Sequence, residues 1–65
     1  MLFTYVFLNR FGMEQRESYK ELLEALRVVA RDHETHTRIP LEVFGKGESY
    51  TQQELLLLCH KHNLL

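Results

Sequence analysis

The sequence predicts a small α/β or α+β domain in which strands and helices alternate in the order β-α-β-α. Residues 2–9 and 39–44 are short stretches rich in the aromatic and β-branched side chains that favour strands. Residues 18–34 and 52–62 carry the apolar spacing and the capping signals of helices. Because a chain of 65 residues is long enough for one domain only, we expect a single domain over residues 1–65, with two strands and two helices.

The first predicted strand, LFTYVFL, is apolar on both faces. Successive side chains alternate between the faces, which are Phe3, Tyr5 and Phe7 on one side and Leu2, Val6 and Leu8 on the other. One long helix can cover only one of these faces, and a sheet of two strands is poorly stable alone. We therefore expect dimerisation to complete or cover the sheet.

The first predicted helix has one apolar stripe and one charged face. Its apolar residues follow the spacing i, i+3, i+4, i+7, namely Tyr19, Leu22, Leu23, Leu26, Val29 and Ala30. Ser18 and Glu21 have the spacing of a capping box, which predicts that the helix begins at residue 18. Residues 13–17 are then either a loop or an extra helical turn.

The second predicted strand begins near a proline and ends at a glycine turn. Pro40 has no amide proton, so it belongs near a strand start or on a sheet edge. Gly45-Lys46-Gly47 predicts the turn that follows. If the two strands lie parallel, the connection through the first helix is right-handed.

The last helix has the clearer start signal. Thr51 and Glu54 form a second capping box, and Tyr50 with Leu55 adds a hydrophobic staple. The helix should extend over residues 52–62.

An excess of leucine at the carboxyl end predicts self-association. Four consecutive leucines, residues 55–58, occupy most of the circumference of the last helix, and the chain ends on two more. A monomer of this size cannot readily bury all of them, and exposed apolar patches mark interaction sites. The candidate protein-contact residues are Val28, Leu56, Leu57, Leu64 and Leu65.

The charge balance narrows the classes of partner. Eight basic and nine acidic residues give a formal net charge of −1, which disfavours nucleic-acid binding and docking on anionic membranes. No apolar run approaches the ~20 residues that span a bilayer. A single cysteine excludes an internal disulfide. These observations predict a cytoplasmic protein.

A zinc site is the sharpest chemical alternative. His33 and His36 are three residues apart, as are Cys59 and His62, and two such pairs could supply four tetrahedral ligands. The arrangement matches no common zinc module. Cys59 is not expected to be a nucleophile, because it lies toward the carboxyl end of its helix, where the dipole disfavours a thiolate.

Together these patterns favour a non-enzymatic protein-binding module without a cofactor, acting as a homodimeric adaptor, regulator or inhibitor. Two alternatives remain open from the sequence. One is a metal-binding protein that uses the two histidine-containing pairs, and the other is a nucleic-acid-binding regulator that uses the terminal helix.

Overall fold

The computed structural model describes residues 2–65, and this part of the chain forms a small α+β domain. Its elements in order are β1 Phe3–Leu8, β2 Glu14–Tyr19, α1 Leu22–Thr35, β3 Ile39–Gly45, β4 Glu48–Thr51 and α2 Gln52–Lys61. Within residues 2–65 there is no helix of the length and apolar character needed to cross a membrane.

The four strands form one antiparallel sheet in the order β2-β1-β3-β4. The prediction of only two strands is wrong, because the chain itself supplies four, and cover of the sheet by dimerisation stays a prediction. Both missed strands lie at the edges. β2 reads EQRESY and is exposed except for Tyr19, while β4 is only four residues long. Charged or short edge strands resist pairing with another chain but carry little of the apolar alternation that identifies a strand in a sequence.

The start of the first helix also differs from the prediction. Ser18 pairs with Thr4 and Tyr19 pairs with Phe3, so both lie in β2 rather than at a helix start. Glu21 is the extended N-cap residue, and its side chain makes no capping hydrogen bond. The capping-box assignment at residue 18 is therefore wrong, because pairing with the central strand overrides a local signal.

The chain consists of two successive hairpin-helix units. β1, β2 and α1 form the first, and β3, β4 and α2 form the second, with β1 and β3 antiparallel at the centre of the sheet. The predicted right-handed connection assumed parallel neighbours. The additional strand β2 reverses the chain before α1, so β1 and β3 run in opposite directions.

Both helices pack on one face of the sheet and enclose the core. The predicted aromatic face of β1 lies in this core, together with residues from both helices and β3. The core members are Phe3, Tyr5, Phe7, Ala25, Leu26, Val29, Ala30, Val43, Leu55 and Cys59.

The second helix begins as the sequence predicts. The Glu54 carboxylate accepts hydrogen bonds from the Thr51 backbone N–H and hydroxyl, both at 3.0 Å, and the capping box is confirmed. Leu55 is fully buried, and Tyr50 packs against the same core. After the helix, the Leu64 N–H donates to the Cys59 carbonyl at 2.8 Å, which turns the chain end back toward the domain.

Two glycines at the β3–β4 turn should differ sharply in their tolerance of a methyl group. A Cβ at Gly45 would lie 2.9 Å from the Phe3 Cα and would also clash with the Leu2 carbonyl oxygen. Gly47 has open space around it and a φ of 76°. We expect Gly45→Ala to lower the free energy of unfolding by about 3 kcal/mol through overpacking of backbone against backbone. Gly47→Ala should lower it by about 1 kcal/mol through backbone strain alone.

Urea unfolding followed by circular dichroism measures both values. Equal losses in the two variants would contradict the close approach of β1 and β3 at Gly45.

Candidate functional site

A buried carboxylate near the end of α1 is the centre of a polar network. Asp32 is 2% exposed and is the buried charged residue of the described chain. The Tyr5 hydroxyl donates to its Oδ2 at 2.9 Å, and the Arg38 Nε donates to the same oxygen at 2.8 Å. The carboxylate is thus paired and hydrogen-bonded, as burial of a charge requires.

Arg38 extends this network to the edge strand. Its terminal nitrogen lies 3.3 Å from the Glu17 Oε1, which also accepts a hydrogen bond of 2.7 Å from the Tyr19 hydroxyl. The guanidinium carbon lies 4.0 Å from the centroid of the Phe7 ring, a cation-π geometry. One arginine therefore joins β1, β2 and α1 beside the start of β3.

The environment of these groups shifts their proton affinities. Burial, reinforced by the hydrogen bond to Asp32, raises the pKa of the Tyr5 hydroxyl well above its usual range. Burial and the hydrogen bond to Glu17 raise the pKa of Tyr19 to about 12. The hydrogen bond from the Tyr19 hydroxyl lowers the pKa of Glu17, and the hydrogen bond and positive charge of Arg38 lower it further. Both phenols therefore keep their protons to a higher pH than an unperturbed tyrosine does, which suits a structural network better than a proton relay.

A cleft of about 590 Å³ opens beside the network. Besides network members, its walls include Arg31, Thr35 and Thr37. The Thr35 hydroxyl donates to the Arg31 carbonyl at 2.7 Å and lies 2.6 Å from the Thr37 hydroxyl. In the described chain, every buried polar side-chain atom has a partner, so the network is satisfied without a ligand.

The sheet face opposite the helices has an apolar centre and polar edges. Directly paired residues point to the same face, so Val6 shares this face with its neighbours Arg16 on β2 and Glu42 on β3. The other residues placed on this face by the register are Thr4, Leu8, Glu14, Ser18, Ile39, Phe44, Ser49 and Thr51. No helix of the described chain packs on this side, and we call it the open face.

The loop between β1 and β2 presents two apolar side chains to solvent. Phe11 is 75% exposed and Met13 is 62% exposed. Ile39, at 53% exposure, begins β3 beside Leu8, the last residue of β1, so it lies at the same end of the sheet. We call Phe11, Met13 and Ile39 the loop surface.

Most of the contact residues predicted from the leucine excess are partly covered. Val28, Leu64 and Leu65 are half-buried against the core, and Leu56 is half-buried on α2. Leu57 differs, because it is 69% exposed. As a protein interface, the five residues stay a prediction, and Leu57 offers most of their free surface.

The predicted zinc ligands are not gathered into one site. Cys59 is fully buried with its Sγ 3.5 Å from the Leu26 carbonyl oxygen, and burial raises the pKa of the thiol. His33 and His36 are exposed and line one pocket near the end of α1, whereas His62 caps the end of α2. Over residues 2–65, no three His, Cys, Asp or Glu side chains are grouped to hold a metal ion.

Sequence reasoning missed the network and the loop surface. Asp32 belongs by its spacing to the charged face of the first predicted helix, although a tyrosine in an apolar strand signals the need for a buried hydrogen-bond partner. The loop surface also had a signal. Phe11 lies between Asn9 and Gly12, which are turn-forming residues, and an aromatic side chain in such a loop points to solvent.

Comparisons with family models, curated proteins and solved structures find no match for this chain.

Removal of the buried carboxylate should destabilise the domain strongly. Asp32→Ala leaves the Tyr5 hydroxyl and the Arg38 guanidinium without their acceptor, and we expect a loss of about 3–5 kcal/mol in unfolding free energy. Glu17→Gln, at the exposed end of the network, should lose less than about 1 kcal/mol. Urea unfolding measures the free energies of both variants. If Asp32→Ala does not fold, Tyr5→Phe tests the same carboxylate, with an expected loss of about 1 kcal/mol in unfolding free energy. A larger loss in Glu17→Gln than in Tyr5→Phe would contradict the central place of Asp32.

The tyrosine pKa shifts predict a loss of stability in alkali. The pKa of Tyr19 rises from 10.0 in the unfolded chain to about 12 in the fold, and that of Tyr5 rises further. The folded state therefore holds these protons more tightly, so their contribution is complete below about pH 10 and declines as the pH rises toward 12. Urea unfolding over this range, with phenolate absorbance as a second readout, should show a smaller decline in Tyr19→Phe. An identical decline in this variant would remove Tyr19 from the explanation.

Proposed function

We propose that this chain is a small non-enzymatic protein-binding module, an adaptor, regulator or inhibitor, that contacts its partner through the loop surface. The observation that carries the proposal is the exposure of Phe11, Met13 and Ile39 together at one end of the sheet. Aromatic residues and methionine are enriched at the centres of protein interfaces. A single exposed apolar residue is common on protein surfaces, whereas a group of them indicates a binding site.

The loop is held in shape before any partner binds. The Asn9 side-chain oxygen accepts hydrogen bonds from the Phe11 and Met13 backbone N–H groups at 2.9 and 3.0 Å. The Asn9 N–H also donates to the Met13 carbonyl, and the Gly12 N–H donates to the Asn9 carbonyl, both at 2.9 Å. Gly12 adopts a φ of 76°, which suits a residue without a side chain. Binding through an ordered loop loses less conformational entropy than binding through a mobile one.

The chemistry of the loop defines the kind of partner. The guanidinium carbon of Arg10 lies 5.2 Å from the centroid of the Phe11 ring, so a positive charge accompanies the exposed aromatic side chain. The complementary surface is an apolar pocket for the ring with acidic side chains on its rim. Phe11 is the proposed anchor, and Met13 and Ile39 extend the contact around it.

Two further observations support a binding role over catalysis. Cys59, the chain's cysteine, is buried and its pKa is raised, which opposes thiolate formation. The Asp32 network is closed on itself by hydrogen bonds to Tyr5 and Arg38. A cytoplasmic location is part of the proposal, since a free thiol suits a reducing compartment.

Truncation of the anchor should abolish most of the affinity. A photo-reactive phenylalanine analogue at position 11 should cross-link one discrete partner in an extract of the source cells, whereas the analogue at the exposed position 53 on α2 should not. With that partner purified, Phe11→Ala should weaken binding about 30-fold or more, as expected of an interface hot spot. Leu57→Ala removes another exposed apolar side chain on α2 and should change the affinity less than about 2-fold.

The two variants also separate the competing surfaces. Weaker binding in Leu57→Ala with unchanged binding in Phe11→Ala would assign the contact to the leucine residues of α2. No effect of Phe11→Ala at all would overturn the proposed role of the loop surface.

A further inference from the structure

We propose that a second copy of the chain covers the open face through a two-fold axis that runs parallel to β1, above Val6 and midway between the two sheets. The open face shares Ile39 with the loop surface but does not include its anchor Phe11, and the inference does not rest on the proposed function. The arrangement places each Arg16 opposite Glu42 of the other copy.

The register places opposite charges on the two sides of Val6. Val6 pairs with Arg16 on one neighbouring strand and with Glu42 on the other. Adjacent strands are ~4.8 Å apart, so the two charges lie at equal distances on either side of β1. A half turn about the axis above β1 exchanges the β2 side of the sheet with the β3 side. Arg16 of one copy therefore lies over Glu42 of the other copy. The contact is self-complementary, as a two-fold interface must be.

The charges also select this axis over the other in-plane axis. A two-fold axis perpendicular to the strands at the level of Val6 would place Arg16 over Arg16 and Glu42 over Glu42, which is repulsive. Stacked sheets pack ~10 Å apart, a gap that an arginine and a glutamate side chain reaching toward each other can bridge. Within residues 2–65 the ion-pair partner of Arg16 is the exposed Glu14 carboxylate at 3.6 Å, and such exposed pairs contribute little.

The remaining positions of the open face suit an interface. The same axis places Leu8 over Leu8 and Thr4 over Thr4, next to the buried Val6. On either side, Ser18 and Glu14 of β2 lie opposite Phe44 and Ile39 on β3 of the other copy, and β4 lies outside the overlap.

The area available predicts a weak dimer. Three strands of about six residues overlap in this arrangement, on the order of 300 Å² of flat surface for each copy, below the size of standard stable interfaces. We therefore expect dissociation constants in the micromolar to millimolar range. Because a two-fold axis parallel to β1 keeps the strands of both copies in the same direction, both loop surfaces lie at the same end of the dimer. A partner with two sites could then bind both.

Charge reversal tests the arrangement. Arg16→Glu and Glu42→Arg each convert two attractive contacts into repulsive ones, and each variant should dimerise at least about tenfold more weakly than the wild type. An equimolar mixture of the two variants restores opposite charges in both contacts, so the mixture should dimerise as the wild type does. Sedimentation velocity over a concentration series up to ~1 mM gives the dissociation constants in the range expected for small interfaces.

Matched controls keep the result interpretable. Arg27→Glu changes the net charge equally but lies exposed on α1, on the helical side of the domain, and should dimerise as the wild type does. Circular dichroism checks that the variants fold. A wild-type chain that stays monomeric throughout would overturn the proposal and leave the open face to a different protein. Dimerisation that is unaffected by either reversal, or that the mixture does not restore, would overturn the proposed axis.

Discussion

The central strand β1 is apolar on both faces, and the two helices cover only one of them. This imbalance determines most of what is distinctive in the domain. On the covered side, the aromatic residues Phe3, Tyr5 and Phe7 form the centre of the core. On the other side, Val6 lies between the long side chains of Arg16 and Glu42, whose aliphatic parts can shield apolar surface without a covering helix. The open face and the core are therefore two consequences of one strand sequence.

The choice of tyrosine at position 5 accounts for the buried charges. A hydroxyl group in the core requires an acceptor, and Asp32 provides it. The buried carboxylate in turn requires a cation, which Arg38 provides, and the arginine reaches Glu17 on the edge strand. A phenylalanine at position 5 would remove the first requirement. The network thus fixes how α1 and the edge strand are placed around β1, and a ligand is not needed to explain it.

The sequence predicted the central part of this fold and failed at its edges, for physical reasons. The apolar runs of β1 and β3 are signals that coincide with burial, the capping box of α2 is a local hydrogen-bonding signal, and all three elements are present. β2 has a charged sequence because it lies at an edge, so its strand character comes from pairing with β1 rather than from its own composition. Only part of the leucine excess at the carboxyl end is exposed. Leu55 is fully buried, and the turn after α2 returns the terminal leucines to the core, which leaves Leu57 as the exposed member of the run.

The same edge chemistry restricts how this domain can associate. A sheet can recruit another chain along an edge, across a face or through its loops. The outward edge of β2 is a run of charged and polar residues, and β4 is short and leads directly into α2, so neither edge offers a long free ladder. Besides Leu2 and the helical residues Leu23 and Leu57, the exposed apolar residues of the described chain lie on the open face and on the ordered loop after β1. In this loop the Asn9 side chain accepts a hydrogen bond from the Phe11 backbone N–H. Association through a face and a loop, rather than through an added strand, is therefore the mode that this distribution of charge favours.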